Sequence, residues 1–212
     1  MSLDRLIVYF IKNAHRELGR TDLNKYVYMF EYHHHQLFGK GWSGIEFNRY
    51  YYGPNEESVI STVNTLALEG VVCVESYENY YGGLSYNHSL QQGFNGLEEY
   101  DLDSNAELIA SFVVEELWNK DYKGVIDFAY STPPMQEILS EENGGEKQLG
   151  RILDMSKSKP VFTSTRRERL LAAKRLKARQ SERGSDEEYY QHLVEQEQVL
   201  RPFRRRATNA EI

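Results

Sequence analysis

Cysteine is almost absent from this chain of 212 residues, and the single thiol, Cys73, has no partner for an intrachain disulfide. Independence from disulfides is typical of a reducing compartment, so we expect a cytoplasmic protein. Long apolar runs are absent as well, because the run 6–11 is too short to cross a bilayer and has charged residues on both sides. This pattern argues against a membrane-spanning segment and against a signal peptide.

The chain also lacks the motifs of known enzymes. The chain has no Walker loop, dinucleotide fingerprint, nucleophile elbow or paired-histidine zinc motif. Cys73 lies in the apolar run 71–74, which predicts a buried strand where the thiol packs as a small hydrophobic group. His33, His34 and His35 are consecutive on a predicted helix, about 100° apart, and cannot converge on one ion. We therefore predict a non-enzyme with no catalytic residue, no cofactor and no metal.

Basic residues are scarce before the C-terminal quarter of the chain. Residues 1–160 contain 13 Lys and Arg against 24 Asp and Glu, a net charge of −11, whereas residues 161–212 contain 12 against 8, a net charge of +4. An acidic body repels nucleic-acid phosphates and suits a basic protein partner, although the same charge also keeps a protein soluble. We expect the body not to bind nucleic acid. The basic tail could touch nucleic acid or an acidic protein, or end as a solvated segment.

The most informative stretch is residues 21–54. Thr21 is suited to cap a helix that ends at Gly39. Residues 45–51 then alternate, which predicts an extended segment with Arg49 on one side and Tyr50 on the other. Gly53 can take a positive φ, and Pro54 suits the first turn of a following helix. Apolar or aromatic residues recur along one face of the helix that follows Thr21, at Leu23, Tyr26, Val27, Phe30, His34 and Leu37.

The whole chain is predicted to be mainly helical with a small β-hairpin, an α+β fold. The predicted elements are a helix at 2–18 capped by Gly19, the helix after Thr21, a helix from Pro54 to Gly70, strands at 71–77 and 83–90, a helix at 104–119 that Ser104 could cap, and a short helix at 124–130. We predict a domain at 1–155, a linker at 156–165 and a basic helical tail at 166–212. The tail should form two helices with too little apolar surface to stand alone.

Three helices followed by a hairpin is also the order of elements in a winged helix, and this supplies a rival interpretation as a DNA-binding regulator. In that interpretation the third helix would enter the major groove and the hairpin would be the wing. Residues 55–69 and 71–90 contain five glutamates and no Lys or Arg, so like charges would face the phosphates.

The central stretch resembles a known family. Leu23-Asn24-Lys25, then Tyr28, a glycine turn at 39–44, Arg-Tyr-Tyr-Tyr-Gly-Pro at 49–54, and a segment at 66–70 that ends in Glu-Gly are similar in order and spacing to the SocA-like Panacea domain. The resemblance covers roughly residues 3–140 and excludes the tail. Its fold-motif positions are Leu23, Tyr28, Gly53, Pro54, Glu69 and Gly70.

The resemblance implies a compact helical domain that binds protein and is not catalytic. Such domains are similar to the antitoxin halves of toxin–antitoxin pairs, often found on prophages and other mobile elements. They typically neutralise a toxin by binding it directly, and some act as adaptors that deliver a partner to a protease. The resemblance therefore implies an antitoxin whose partner is a toxin encoded nearby. A different adaptor role is the alternative, and a homo-oligomer is also possible.

The predicted partner-binding surface is the aromatic run Tyr50, Tyr51 and Tyr52, because tyrosine offers a large rigid contact area with a polar tip. The alternative is that all three pack against the helices. Lys25 and Arg49 have two interpretations of the same kind. Either they face the partner, or they make structural ion pairs, for example with Glu46 or Glu69.

Overall fold

The computed structural model describes residues 3–80 and 82–158, together with isolated positions between 167 and 195. The chain separates into two compact units, Met1–Val161 and Phe162–Ile212. The architecture given below is that of the first unit. The two helices predicted for the tail lie largely outside the described residues.

The described part of the first unit is mainly helical with two small antiparallel sheets, so the predicted α+β class is confirmed. The helices are α1 (Leu3–Asn13), α2 (Arg20–Phe38), α3 (Glu57–Leu68), α4 (Ser104–Leu117), α5 (Tyr122–Tyr130) and α6 (Pro133–Glu142). The strands are β1 (Asn48–Tyr50), β2 (Gly53–Asn55), β3 (Val72–Glu78) and β4 (Leu84–Leu90). Strand β1 pairs with β2, and β3 pairs with β4.

Helix α2 is the centre of the fold. The sequence predicts one apolar face, but every residue from Asp22 to Tyr32 is buried, because α1, α3, α4, α5 and β2 all pack around the helix. Only its C-terminal part matches the one-sided prediction, and even there Leu37 is exposed while His34 is buried. A helix surrounded in this way places polar side chains in the interior, among them Asp22, Lys25 and Glu31.

The boundary between α1 and α2 differs from the prediction. Helix α1 ends at Asn13 rather than near residue 18, and Gly19 caps the start of α2 instead of the end of α1. Thr21 lies inside the first turn of α2. The Asp22 carboxylate accepts the Gly19 N–H at 3.0 Å and pairs with the Arg16 guanidinium, so Asp22 does the capping that was predicted for Thr21.

A second hairpin, formed by β1 and β2, was not predicted as such. Tyr50 pairs with Gly53 across a two-residue turn, and Pro54 lies in β2 instead of starting a helix. Helix α3 begins at Glu57, with the Glu56 carboxylate accepting the Ser58 N–H. Strand β1 lies within the extended segment predicted at 45–51, whereas β2 is too short to show a period and contains a proline, which lacks the amide hydrogen of a typical strand residue.

The free edge of β1 is covered by a segment that follows α6. The Arg49 N–H donates to the Arg151 C=O at 2.7 Å, and the Leu153 N–H donates to the Phe47 C=O at 2.8 Å. The residues 150–153 therefore extend the β1–β2 hairpin by one strand-like segment. The short strand β1 is hydrogen bonded on both sides.

The later elements lie close to their predicted positions. Strands β3 and β4 agree within one residue, and α3 is followed by Gly70 with φ +73°. Helices α4 and α5 start with the aspartates Asp103 and Asp121 as N-caps, so Ser104 is not the cap and α5 begins two residues early. Cys73 in β3 is only half-buried, which is less than predicted.

Candidate functional site

Some of the residues that carry the family resemblance connect α2 to the β1–β2 hairpin. Leu23 is fully buried. The Asn24 side-chain oxygen accepts the Glu56 N–H at 2.8 Å, and the Lys25 ammonium donates to the Pro54 C=O at 2.5 Å. The first turns of α2 therefore hold the end of β2 by two side-chain hydrogen bonds.

Tyr28, one turn further along α2, fixes the start of α6. Its hydroxyl forms a hydrogen bond of 2.6 Å with the Thr132 hydroxyl, which also donates to the Ala129 C=O. Burial raises the pKa of Tyr28, since an ionised phenol would lose its hydration there. Tyr28 thus connects the central helix to the turn between α5 and α6.

Lys25 lies beneath the hairpin and not on the surface. Its side chain belongs to a residue that is only 2% exposed, and no carboxylate of the described residues forms an ion pair with it. Burial lowers the pKa of Lys25 to about 7, a shift that Asp22 opposes and Arg49 increases. Lys25 therefore makes no ion pair with Glu46 or Glu69, and its burial does not favour the interpretation that it faces a partner.

Arg49 makes a buried ion pair, but not with Glu46 or Glu69 as predicted. Its Nε donates to Glu142 Oε1 at 2.9 Å and its Nη2 to Glu142 Oε2 at 3.1 Å. Arg49 is 2% exposed, so its side chain offers a partner protein very little surface. The hydrogen bonds from Arg49 lower the pKa of Glu142, and the Gln148 N–H acts in the same direction against the effect of burial.

Tyr130 completes the support of the hairpin. Its hydroxyl accepts from Arg49 Nη1 at 2.9 Å, and its ring lies against the turn. A Cβ placed on Gly53 would meet Tyr130 Cε2 at 2.6 Å, and Gly53 has φ +92°. Glycine is therefore required at this position by both the backbone conformation and the available space.

The tyrosine tip, defined as Tyr50, Tyr51 and Tyr52, projects from this supported hairpin. The three residues are 49%, 52% and 58% exposed, so they do not pack inward against the helices. The rings of Tyr50 and Tyr51 meet edge to face with centroids 5.1 Å apart. Whether the tip binds a partner stays a prediction, but the surface that the prediction requires is present.

A groove of about 800 Å³ adjoins the tyrosine tip. It was not predicted, because it depends on the pairing of β1 with β2 and on the approach of residues 149–150. Its lining includes Arg20, Asn48, Tyr50, Asn55, Glu57 and Leu149. Among the residues that the sequence singled out, Thr21, Asn24 and Arg49 also line the groove.

The remaining predicted motif residues and histidines have local contacts elsewhere. Glu69 and Gly70 end α3, at a distance in the chain from the tip. His34 is on the packed side and bonds the Lys40 C=O, whereas His33 bonds Glu116 of α4 at 2.9 Å. Across residues 3–80 and 82–158, no set of three or more His, Cys, Asp or Glu side chains is placed to hold a metal ion.

Two broader observations bear on function. None of the helices in the described part of the chain is both long and apolar enough to cross a membrane. Comparison with protein-family models, with curated proteins and with solved structures gave no match. Function is therefore inferred from the contacts and the surface of the chain itself.

Proposed function

We propose that this chain is a protein-binding module of the antitoxin type, which docks its tyrosine tip onto a toxin encoded beside it and thereby blocks the toxin. The observation that carries the proposal is the exposure of three consecutive tyrosines at the end of a supported hairpin. Tyrosine is enriched among the residues that dominate binding at protein interfaces. The resemblance of roughly residues 3–140 to the SocA-like Panacea domain supports the choice of partner.

The tip is held in place before any partner arrives. Glu142 holds the Arg49 side chain, which donates to the Tyr50 C=O of β1, and Lys25 donates to the Pro54 C=O of β2. Binding by a pre-ordered loop loses less conformational entropy than binding by a loop that must first become ordered. The buried polar contacts of the motif residues thus support an exposed surface that they do not themselves form.

The charge of the body favours a basic partner. Residues 1–160 carry a net charge of −11, which attracts a basic protein and speeds its encounter at low ionic strength. The same charge gives the rival DNA-binding interpretation no support, because α3 and the β3–β4 hairpin contain no Lys or Arg. Protein binding is therefore the function we put forward.

Co-expression with the adjacent gene tests the proposal directly. We expect the neighbour alone to arrest growth, and this chain to relieve the arrest and copurify with it. Tyr51→Ala should weaken both effects, whereas Tyr77→Ala should change neither, because Tyr77 is a similarly exposed tyrosine on β3, away from the tip. Undiminished neutralisation by each of the three tip variants, or loss of folding in place of binding, would overturn the role of the tip. A neighbour that is harmless and does not copurify would overturn the antitoxin proposal itself.

A further inference from the structure

We infer that the groove beside the tyrosine tip takes an extended segment of the partner protein, bound through its main chain by the side-chain amides of Asn48 and Asn55. The inference rests on the proposed function, since it specifies how the partner is held at the same surface. It would also give the docking site a sequence preference that the tip alone does not provide.

The two asparagines form a row on one face of the sheet. Asn48 and Asn55 are directly paired across β1 and β2, and Ile152 is bridged to Asn48 from the other side. Directly opposite residues in an antiparallel pair have Cβ atoms about 5 Å apart on the same face. The other face points into the protein, where Phe47 and Arg49 are buried. The row therefore belongs to the groove.

Both side-chain amides are available for a ligand. Asn48 and Asn55 are half-buried, and neither side chain makes a hydrogen bond within the described part of the chain. Asn24, by contrast, uses both ends of its amide internally. Each free amide offers two N–H donors and one C=O acceptor. An extended chain presents N–H and C=O groups along one side, so such amides can bind it whatever its side chains are.

The size and the walls of the groove indicate what the segment carries. A volume of about 800 Å³ lies within the ordinary range of ligand sites, roughly 300–1,000 Å³, and suits a short peptide. Ile60 and Leu149 give apolar wall area, next to Tyr50. These residues favour an apolar side chain in the bound segment.

The charges on the walls favour a basic side chain beside the apolar one. Glu56 and Glu57 line the groove, and neither forms an ion pair with another described residue. Arg20 also lines the groove, and its guanidinium lies 3.5 Å from the centroid of the Tyr86 ring, a contact that leaves its positive charge in place. Glu56, Glu57 and Arg20 together carry a net charge of −1, while Arg49 is paired with Glu142. The negative sign matches the basic partner favoured by the charge of the body.

Selection from a library of random eight-residue peptides displayed on phage, with the full-length chain as bait, tests the inference. We expect the enriched peptides to carry Lys or Arg beside an apolar residue. A synthetic enriched peptide, followed by fluorescence anisotropy, should bind the double variant Asn48→Ala, Asn55→Ala at least tenfold more weakly than the parent chain. The control is Asn64→Ala, which removes an exposed amide of α3 outside the groove and should leave binding unchanged.

Three outcomes would overturn the inference. The library could yield no peptide that prefers the parent chain to the double variant, or the peptide could bind both equally. The double variant could also change the oligomeric state without affecting peptide binding, which would make a second copy of this chain the occupant. Glu57→Lys, a change at an exposed site, tests the charge preference without relying on the asparagines. It should remove the enrichment of basic residues.

Failure of the inference can be told apart from failure of the proposed function. If the toxin is neutralised and copurifies with both the parent chain and the asparagine variant at equal strength, only the groove inference fails. If enriched peptides bind the groove but no neighbouring protein is neutralised, only the antitoxin proposal fails.

Discussion

Replacing Lys25 with methionine should remove a specific pH dependence of stability. Burial lowers the pKa of Lys25 to about 7 in the folded protein, from an ordinary value of 10.5. Between these two values the unfolded chain keeps the proton that the folded protein has released. Because the unfolded state then binds more protons, the free energy of unfolding must rise with pH in this window.

The size of the rise follows from the two pKa values of Lys25. From pH 7 to pH 9 the Lys25 contribution to the free energy of unfolding increases by about 2 kcal/mol, at 1.36 kcal/mol per pH unit once the folded amine is neutral. The upper limit of pH 9 matters, because burial raises the pKa of Tyr26 and Tyr28. Near pH 10 tyrosines ionise in the unfolded chain first, which lowers stability and obscures the rise.

Urea denaturation of the parent chain and of Lys25→Met at pH 7, 8 and 9 measures the effect. The variant also leaves the Pro54 C=O without its donor, at a cost of about 1–3 kcal/mol that does not depend on pH. The difference between the two curves should therefore grow by about 2 kcal/mol across the range. Lys12→Met, a change on the exposed side of α1, serves as the control. Its free energy of unfolding should change with pH in the same way as that of the parent. Parallel curves for Lys25→Met as well would refute the assignment of a neutralised buried amine.

Three further predictions concern the hairpin. Glu142→Gln leaves the buried Arg49 guanidinium without its carboxylate, and denaturation at pH 7 should show a loss of about 3–5 kcal/mol. The folded pKa of Glu142 is lowered, so the stabilisation of the parent by the ionised carboxylate should be lost as the pH falls below the ordinary value of 4.5. The free energies of unfolding of the parent and of Glu142→Gln should therefore converge in acid. Gly53→Ala should destabilise the protein more than Gly39→Ala. Both glycines have positive φ, but only Gly53 would place a Cβ against Tyr130, an overlap worth about 1–3 kcal/mol, and equal losses would contradict the close packing. Tyr51→Ala should leave the melting temperature nearly unchanged and weaken a toxin complex by about 2 kcal/mol, measured by calorimetric titration.

Local patterns in the sequence predicted a large part of this fold. The alternation at 45–51 predicted that Arg49 and Tyr50 lie on opposite sides, and in the structure Arg49 is buried and Tyr50 exposed. The glycine after α3 also marked its end correctly, because a positive φ there is a local requirement. Such features depend on residues that are close in the sequence, so a local sequence pattern can predict them.

The features that escaped prediction depend on contacts distant in the chain. Glu142 is 93 residues from Arg49, and nothing near either residue indicates the other. The burial of α2 on all sides depends on four other helices, so its own sequence shows only the apolar residues and not the surroundings of Lys25. The groove has the same origin, since Asn48 and Asn55 meet only when the short strands pair.

The segment 150–153 on the edge of β1 has a consequence for how the protein is made. The tyrosine tip leaves the ribosome early, but its supports in Glu142 and in residues 151–153 are synthesised some 90 residues later. A chain cut short before those residues would carry the tyrosines on an unsupported hairpin. Binding competence would then be acquired only by chains translated past this point, so incomplete products would not compete for the partner.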